Sequence, residues 1–160
     1  MDDQKVLREH LIELLEGKSA HIDLESALAD FPLDHINTKI DGSPHTAWQL
    51  LEHIRIAQWD ILDFSRNENY KEMNWPDDYW PKDEGTPEKW QKSVKQILND
   101  LQEMRDLVAG NSTDLFARIP HGDGQTILRE ALLVADHNAY HLGQLVLLKR
   151  MFLGRAETRL

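Results

Sequence analysis

The sequence predicts an all-α protein, a four-helix bundle, on three observations. Apolar residues recur at spacings of three and four along four long segments, which is the period of an amphipathic helix. No segment shows the sustained apolar–polar alternation of a half-buried strand. Prolines lie between these segments or at their first positions. A chain of 160 residues is typical of one domain, so we expect a single domain over residues 1–160.

The first helix ends near Gly17 and has His10 on the edge of its apolar stripe. We expect His10 to be packed or hydrogen-bonded rather than to bind a metal. A short second helix stops at Pro32, which cannot continue it. The chain beyond Pro32 is irregular, and we expect His35 and His45 at the surface.

The next helix is predicted to begin at Ser43-Pro44, because serine is a favoured N-cap and proline suits the first helical position. It runs to about Arg66, and His53 lies beside its buried face, on the same side of the helix as Leu50. A histidine with apolar neighbours in mid-helix needs a partner, since burying an unpaired polar ring is costly.

The segment between Asn67 and Gly85 is too broken for a helix and too polar for a strand, and it contains the aromatic run Trp75 to Pro81. Two interpretations stay open, a lid over a pocket or a loop held to the bundle by the two indoles of the Trp75–Trp80 stretch. A third amphipathic helix follows. It begins at Thr86-Pro87 and ends near Gly110.

The last helix is predicted over about Gln125 to Phe152 and contains His137 and His141. Four residues make slightly more than one helical turn, so the two imidazoles share a face with their Cβ atoms about 6 Å apart. Both can point at one divalent metal ion, and His53 on a facing helix is the candidate third ligand. The spacing alone is weak evidence, and two histidines satisfied by hydrogen bonds are the alternative.

Composition limits the function. A net charge of −10 argues against nucleic acid as a partner, because phosphate binding needs a clustered positive surface. The chain has no cysteine, which fits a reducing compartment and excludes thiolate ligands. Neither a signal-peptide pattern nor a membrane-length apolar stretch occurs, so we expect a soluble cytoplasmic protein with no membrane partner.

Rival sites fail on their residue patterns. A di-iron carboxylate bundle needs Glu-x-x-His, and a zincin needs His-Glu-x-x-His; the sequence contains neither motif at these histidines. Haem between two histidines stays an alternative that no residue specifies. His121, in a glycine-rich turn before the last helix, is predicted to be a turn residue rather than a catalyst.

Two stretches resemble the DinB/YfiT-like metalloenzyme superfamily: Ser43 to Ile54, with its Trp48-then-His53 pattern, and Asp136 to Gln144, with its terminal His-Leu-Gly-Gln. The resemblance covers nearly the whole chain and includes the order of the helices. It implies a bundle that holds one divalent metal, assigned as nickel, zinc or iron, through His53, His137 and His141. Many members have a further histidine just before the last ligand, where this chain has Tyr140.

The resemblance also implies a function. Some relatives are transferases or isomerases that use a low-molecular-weight thiol of the bacillithiol or mycothiol type. We therefore expect a metal-dependent transferase acting on a small-molecule substrate and such a thiol, as a homodimer. The alternatives are a metal-dependent hydrolase and a non-catalytic, metal-stabilised bundle that acts through protein contacts. We also expect Asp136 or another acceptor to bind the distal ring N–H of one ligand.

Overall fold

The computed structural model describes residues 3–157, with side chains described through residue 154, so the ends of the predicted 1–160 domain lie outside the described residues. The described chain is all-α, as predicted. Its α-helices are α1 (Asp3–Glu16), α2 (Leu24–Leu28), α3 (Ala47–Arg66), α4 (Pro87–Ala109) and α5 (Ile127–Glu157). Short 3-10 turns span Leu33–His35 and Asp77–Tyr79. Within this part of the chain, no helix combines the length and the apolar character needed to cross a membrane.

The four long helices form the bundle. Helix α3 packs against both α4 and α5, and α1 packs against the same two helices. The buried apolar residues fall into two clusters along the bundle axis. One contains Leu50, Ile54 and Leu145, and the other contains Leu62, Met104 and Val134. Between these levels, α3 and α5 place polar residues in the interior.

The start of α3 differs from the prediction. Thr46, not Ser43, is the N-cap, and its side chain accepts a hydrogen bond from the Gln49 backbone N–H while the Gln49 side chain accepts one from the Thr46 N–H. This capping box satisfies two backbone donors at once. Ser43 instead donates its hydroxyl hydrogen to the His45 carbonyl at 2.7 Å. The helix therefore begins three residues later than Pro44.

The other long helices match the prediction more closely. Thr86 caps α4 with proline at its first position, and Gly110 is its C-cap. Helix α5 runs to Glu157, beyond the predicted end at Phe152. Phe152 is buried and contacts Phe31 with ring centroids 6.5 Å apart, so packing against the bundle holds the last turns of α5 in place.

The segment between α3 and α4 is held against the bundle at its C-terminal end, just before α4. Asn37 exchanges two hydrogen bonds of 2.9 Å with the backbone of Gly85, and the Trp48 indole N–H donates to the Asp83 carbonyl at 2.9 Å. Gly85 lies directly on the Trp48 ring, where a Cβ atom would come within 2.6 Å of the indole. These bonds fix where the aromatic segment crosses the bundle.

Candidate metal centre

Three histidines meet between the two apolar clusters. His53 comes from α3, and His137 and His141 come from successive turns of α5. One potential ligand atom from each lies within 4.8 Å of the other two, and the ring centroids are 4.6 to 4.9 Å apart. Among the side chains that the structure describes, no other group of three histidines and carboxylates comes this close. The three residues singled out from the sequence are therefore brought together.

Hydrogen bonds fix the tautomers of two of these rings. The Nδ1–H of His53 donates to the Tyr79 carbonyl at 2.9 Å, and since a carbonyl can only accept, the lone pair of this ring is on Nε2. The Nδ1–H of His141 donates to Gln144 Oε1 at 2.8 Å, one turn along the same helix, which again leaves the lone pair on Nε2. The expected distal acceptors are thus Tyr79 and Gln144. Asp136 is exposed and holds neither ring.

The third ring faces the first. The Nε2 atoms of His137 and His53 are 3.1 Å apart, while His137 Nδ1 and the neighbouring Asn138 Oδ1 are buried with no hydrogen-bond partner among the described residues. Two ring nitrogens at this distance are satisfied either by one shared proton or by a cation that accepts both lone pairs. Imidazole nitrogen suits zinc, nickel and iron alike. The donor set therefore fits a divalent transition metal.

Burial keeps these imidazoles neutral at physiological pH. Burial, together with the neighbouring rings of His141 and His53, lowers the pKa of His137 to about 4, because each of those rings would repel a second positive charge. Burial also lowers the pKa of His53 and His141, although the bonds to Tyr79 and Gln144 act in the opposite direction. A histidine must be neutral to bind a metal, so these shifts favour ligation.

An aromatic wall covers one side of the histidines. The Trp80 indole stacks on His53, with centroids 4.1 Å apart and planes 3° from parallel, and His45 stacks on Trp80 at 4.0 Å. Trp75 is 71 % exposed, and its ring centroid is 6.5 Å from that of His53, farther than the centroid of Trp80. The loop is thus held by one indole rather than two, and it covers the histidines through Tyr79 and Trp80.

A buried carboxylate on α3 holds this loop in place. Asp60 accepts hydrogen bonds from the hydroxyls of Tyr79 at 2.6 Å and Tyr70 at 2.9 Å. Burial and the bond to Asp60 raise the pKa of both tyrosines, so both hydroxyls stay protonated and donate. Helix α3 therefore carries both His53 and, about two turns further on, Asp60. Asp60 holds Tyr79, and the Tyr79 carbonyl orients His53.

A second polar contact lies behind the histidines. Gln58, fully buried, donates from Nε2 to the Ile97 carbonyl of α4 at 2.7 Å and accepts from Asn138 Nδ2 of α5 at 2.6 Å. This chain links α3, α4 and α5 at the level of the site. It fixes the rotation of α5, and hence the direction of His137.

Among the other histidines, His10 was expected to be packed or hydrogen-bonded, and that prediction is wrong. It is exposed, with Nδ1 3.7 Å from a Glu13 carboxylate oxygen. The buried stripe of α1 runs through Leu11 and Leu15, which turns His10 outward. His121 is a turn residue, as predicted, and donates from Nε2 to the Phe64 carbonyl at 2.8 Å.

Two more histidines, His35 and His45, were both expected at the surface. His35 is exposed, as predicted, and stacks on Phe152. His45 is half-buried against Trp80, so the prediction of a surface residue is wrong for it. No period in the irregular segment before α3 signals that contact, and its partner lies in a second irregular segment. His45 is thus one residue near the site that the sequence did not reveal, and Gln144 and Asp60 are two others.

Comparison with known proteins gives a family but no closer relative. A family model described as the DinB superfamily matches residues 18–145, a span that includes all three histidines. No curated protein and no solved structure matches the chain.

Proposed function

The chain belongs to the DinB superfamily, and we propose that it is a metal-dependent enzyme that transfers a low-molecular-weight thiol to an electrophilic small molecule. His53, His137 and His141 hold one divalent ion, either nickel, zinc or iron. The observation that carries the proposal is the convergence of the three rings, with the lone pairs of His53 and His141 fixed on Nε2 by bonds at Nδ1.

The donor set suits catalysis rather than a closed structural site. Three protein ligands leave a coordination position for another molecule, whereas structural zinc sites use four. An ion held there supplies a Lewis acid that lowers the pKa of a thiol or a water reaching it. Tyr79 and Gln144 orient two of the rings, and Trp80 shields the face of His53 from water.

The transfer reaction balances without a further co-reactant. The chain has no cysteine, so the sulfur comes from a small thiol cosubstrate. A C–S bond forms as the bond from carbon to the leaving group breaks, the leaving group departs with that electron pair, and the thiol proton passes to solvent.

Turnover of monochlorobimane with small thiols tests this proposal, using protein purified without a histidine tag and loaded with each metal in turn. We expect metal-dependent formation of the fluorescent thioether with the unmodified protein and with His10→Ala, whose exposed ring is the matched control. His137→Ala is expected to lose it. Absence of turnover with every thiol and metal contradicts the transferase, and metal-dependent ester hydrolysis without thiol would identify a hydrolase instead.

Exposed aromatic residues beside the site favour one competing function, a non-catalytic bundle that acts through protein contacts. Trp75 and Tyr140 are 71 % and 66 % exposed. In that case, replacing the three histidines one at a time lowers the melting temperature with no associated loss of chemistry. The transferase predicts loss of turnover in each variant.

A further inference from the structure

We propose that a cleft beside the metal centre binds an uncharged alkyl or aryl group of the substrate, an inference that rests on the proposed function. The cleft has a volume of about 310 Å³ and lies between the segment 40–45 and the second half of α5. It falls at the lower end of the range for small-molecule pockets, roughly 300–1,000 Å³. It is therefore sized for one compact group rather than for a large ligand.

Two residues belong both to the cleft and to the surroundings of the histidines. Gln144 lines the cleft, and its Oε1 accepts the hydrogen bond from His141 Nδ1. His45 also lines the cleft, and it stacks on the indole of Trp80, which itself stacks on His53. The end of the cleft formed by His45 and Gln144 thus lies next to the candidate metal site.

The lining selects apolar chemistry. Leu50 and Leu148 are buried in its floor, and Leu147 and Met151 form its exposed wall, 58 % and 38 % accessible to solvent. None of the lining residues is a lysine or arginine, and Asp41 supplies a carboxylate. An anionic group would therefore be repelled, while an alkyl or aryl group gains from leaving water.

The arrangement gives the bound molecule a direction. Its apolar part lies along Leu147 and Met151, and its polar or reactive group lies at His45 and Gln144. The lining of the cleft therefore favours an apolar substrate with one polar or electrophilic end over a sugar or a phosphate ester.

Binding of linear 1-alkanols from butanol to octanol to the metal-loaded protein, measured by calorimetry, tests the cleft. We expect the affinity to rise about fourfold for each added CH₂ and to level off when the cleft is full. Leu147→Asp and Met151→Asp are expected to lower the affinity for hexanol at least tenfold. Leu153→Asp is the matched control, because Leu153 is also half exposed on α5 but lies outside the cleft, and it should bind hexanol unchanged.

Orientation is measured on the cobalt(II)-loaded protein from the nuclear relaxation of bound hexanol. We expect the CH₂ beside the hydroxyl to relax faster than the terminal methyl. Faster relaxation of the methyl, affinity independent of chain length, or equal binding by the Leu147 and Leu153 variants overturns the cleft assignment. Metal content is determined on the same samples, and protein with full metal content that fails these tests overturns only the cleft. A chain that takes up no metal overturns the proposed function.

Discussion

Tyr79→Phe tests whether the loop above the histidines orients His53. The substitution removes only the hydroxyl that donates to Asp60 at 2.6 Å, and it leaves the backbone carbonyl that accepts from His53. A hydrogen bond to a charged acceptor contributes about 1.5–3 kcal/mol. Since Tyr79 is only half-buried, we expect a loss of about 2 kcal/mol in the free energy of unfolding.

Tyr70→Phe is the matched control. It removes a 2.9 Å bond to the other oxygen of the same carboxylate, and Tyr70 has no bond to a histidine of the triad in the described structure. Both variants should therefore lose similar stability. Only Tyr79→Phe should weaken metal binding, by about tenfold, which is the lower end of the effect of replacing a partner of a metal-bound histidine.

The assay has two readouts on each variant, urea unfolding of the metal-free protein and competition with a chelator for the metal. Loss of about 2 kcal/mol corresponds to a melting temperature roughly 4–8 °C lower for a chain of this size. Equal metal affinity in the two variants, with stability lowered in both, would show that the loop does not orient His53. The coupling between Asp60 and the site would then be refuted.

Other predictions concern His137, Asp100 and Gly85. The pKa of His137 is about 4 in the folded state and 6.5 in the unfolded state, so below pH 6.5 the unfolded state takes up a proton that the folded state does not. The metal-free protein should therefore lose up to about 3 kcal/mol of unfolding free energy as pH falls from 6.5 to 4. Urea titrations at stepped pH should show a shallower fall for His137→Gln. Burial raises the pKa of Asp100, whose Oδ2 has no partner among the described residues, so Asp100→Asn should be more stable than the unmodified protein in urea at pH 7. That gain should vanish below the unfolded pKa of about 4, where both states are protonated, and a gain that persists there would contradict the reasoning. Gly85→Ala forces a methyl group against Trp48 and should cost about 1–3 kcal/mol in thermal unfolding, whereas an unchanged melting temperature would mean that the loop moves aside at no cost.

The parts of the fold that the sequence predicted are those with a local or periodic signal. Helix α4 carries its start and stop in Thr86, Pro87 and Gly110, and all three act as expected. His137 and His141 lie on one face because four residues nearly complete a turn. His53 stood out because it is polar on an apolar face.

The errors arose where two local signals competed or where none existed. Thr46 and Gln49 have the spacing of a capping box, which satisfies two donors and outweighs the Ser43-Pro44 signal. In α1, spacings of three and four placed His10 on the stripe, but Arg8 faces the bundle instead and donates to the Val108 and Thr113 carbonyls.

The contacts around the site join residues that are distant in sequence. His45 meets Trp80, and Asp60 meets Tyr79. Both Tyr79 and Trp80 belong to the segment between α3 and α4, which contains only a short 3-10 turn. Periodicity assigns residues to the faces of helices, but it cannot place an irregular loop. The convergence of the three histidines was therefore predictable, while the aromatic residues that cover them were not.

In the proposed site, three imidazoles from α3 and α5 share one cation. Elemental analysis of protein purified without a histidine tag tests it most directly, with His53→Ala, His137→Ala and His141→Ala beside the exposed control His10→Ala. We expect about one divalent metal ion per chain in the unmodified protein and the control, and little in the three variants, because removing one of three protein ligands opens the site. Metal content that stays the same in all four variants would contradict it.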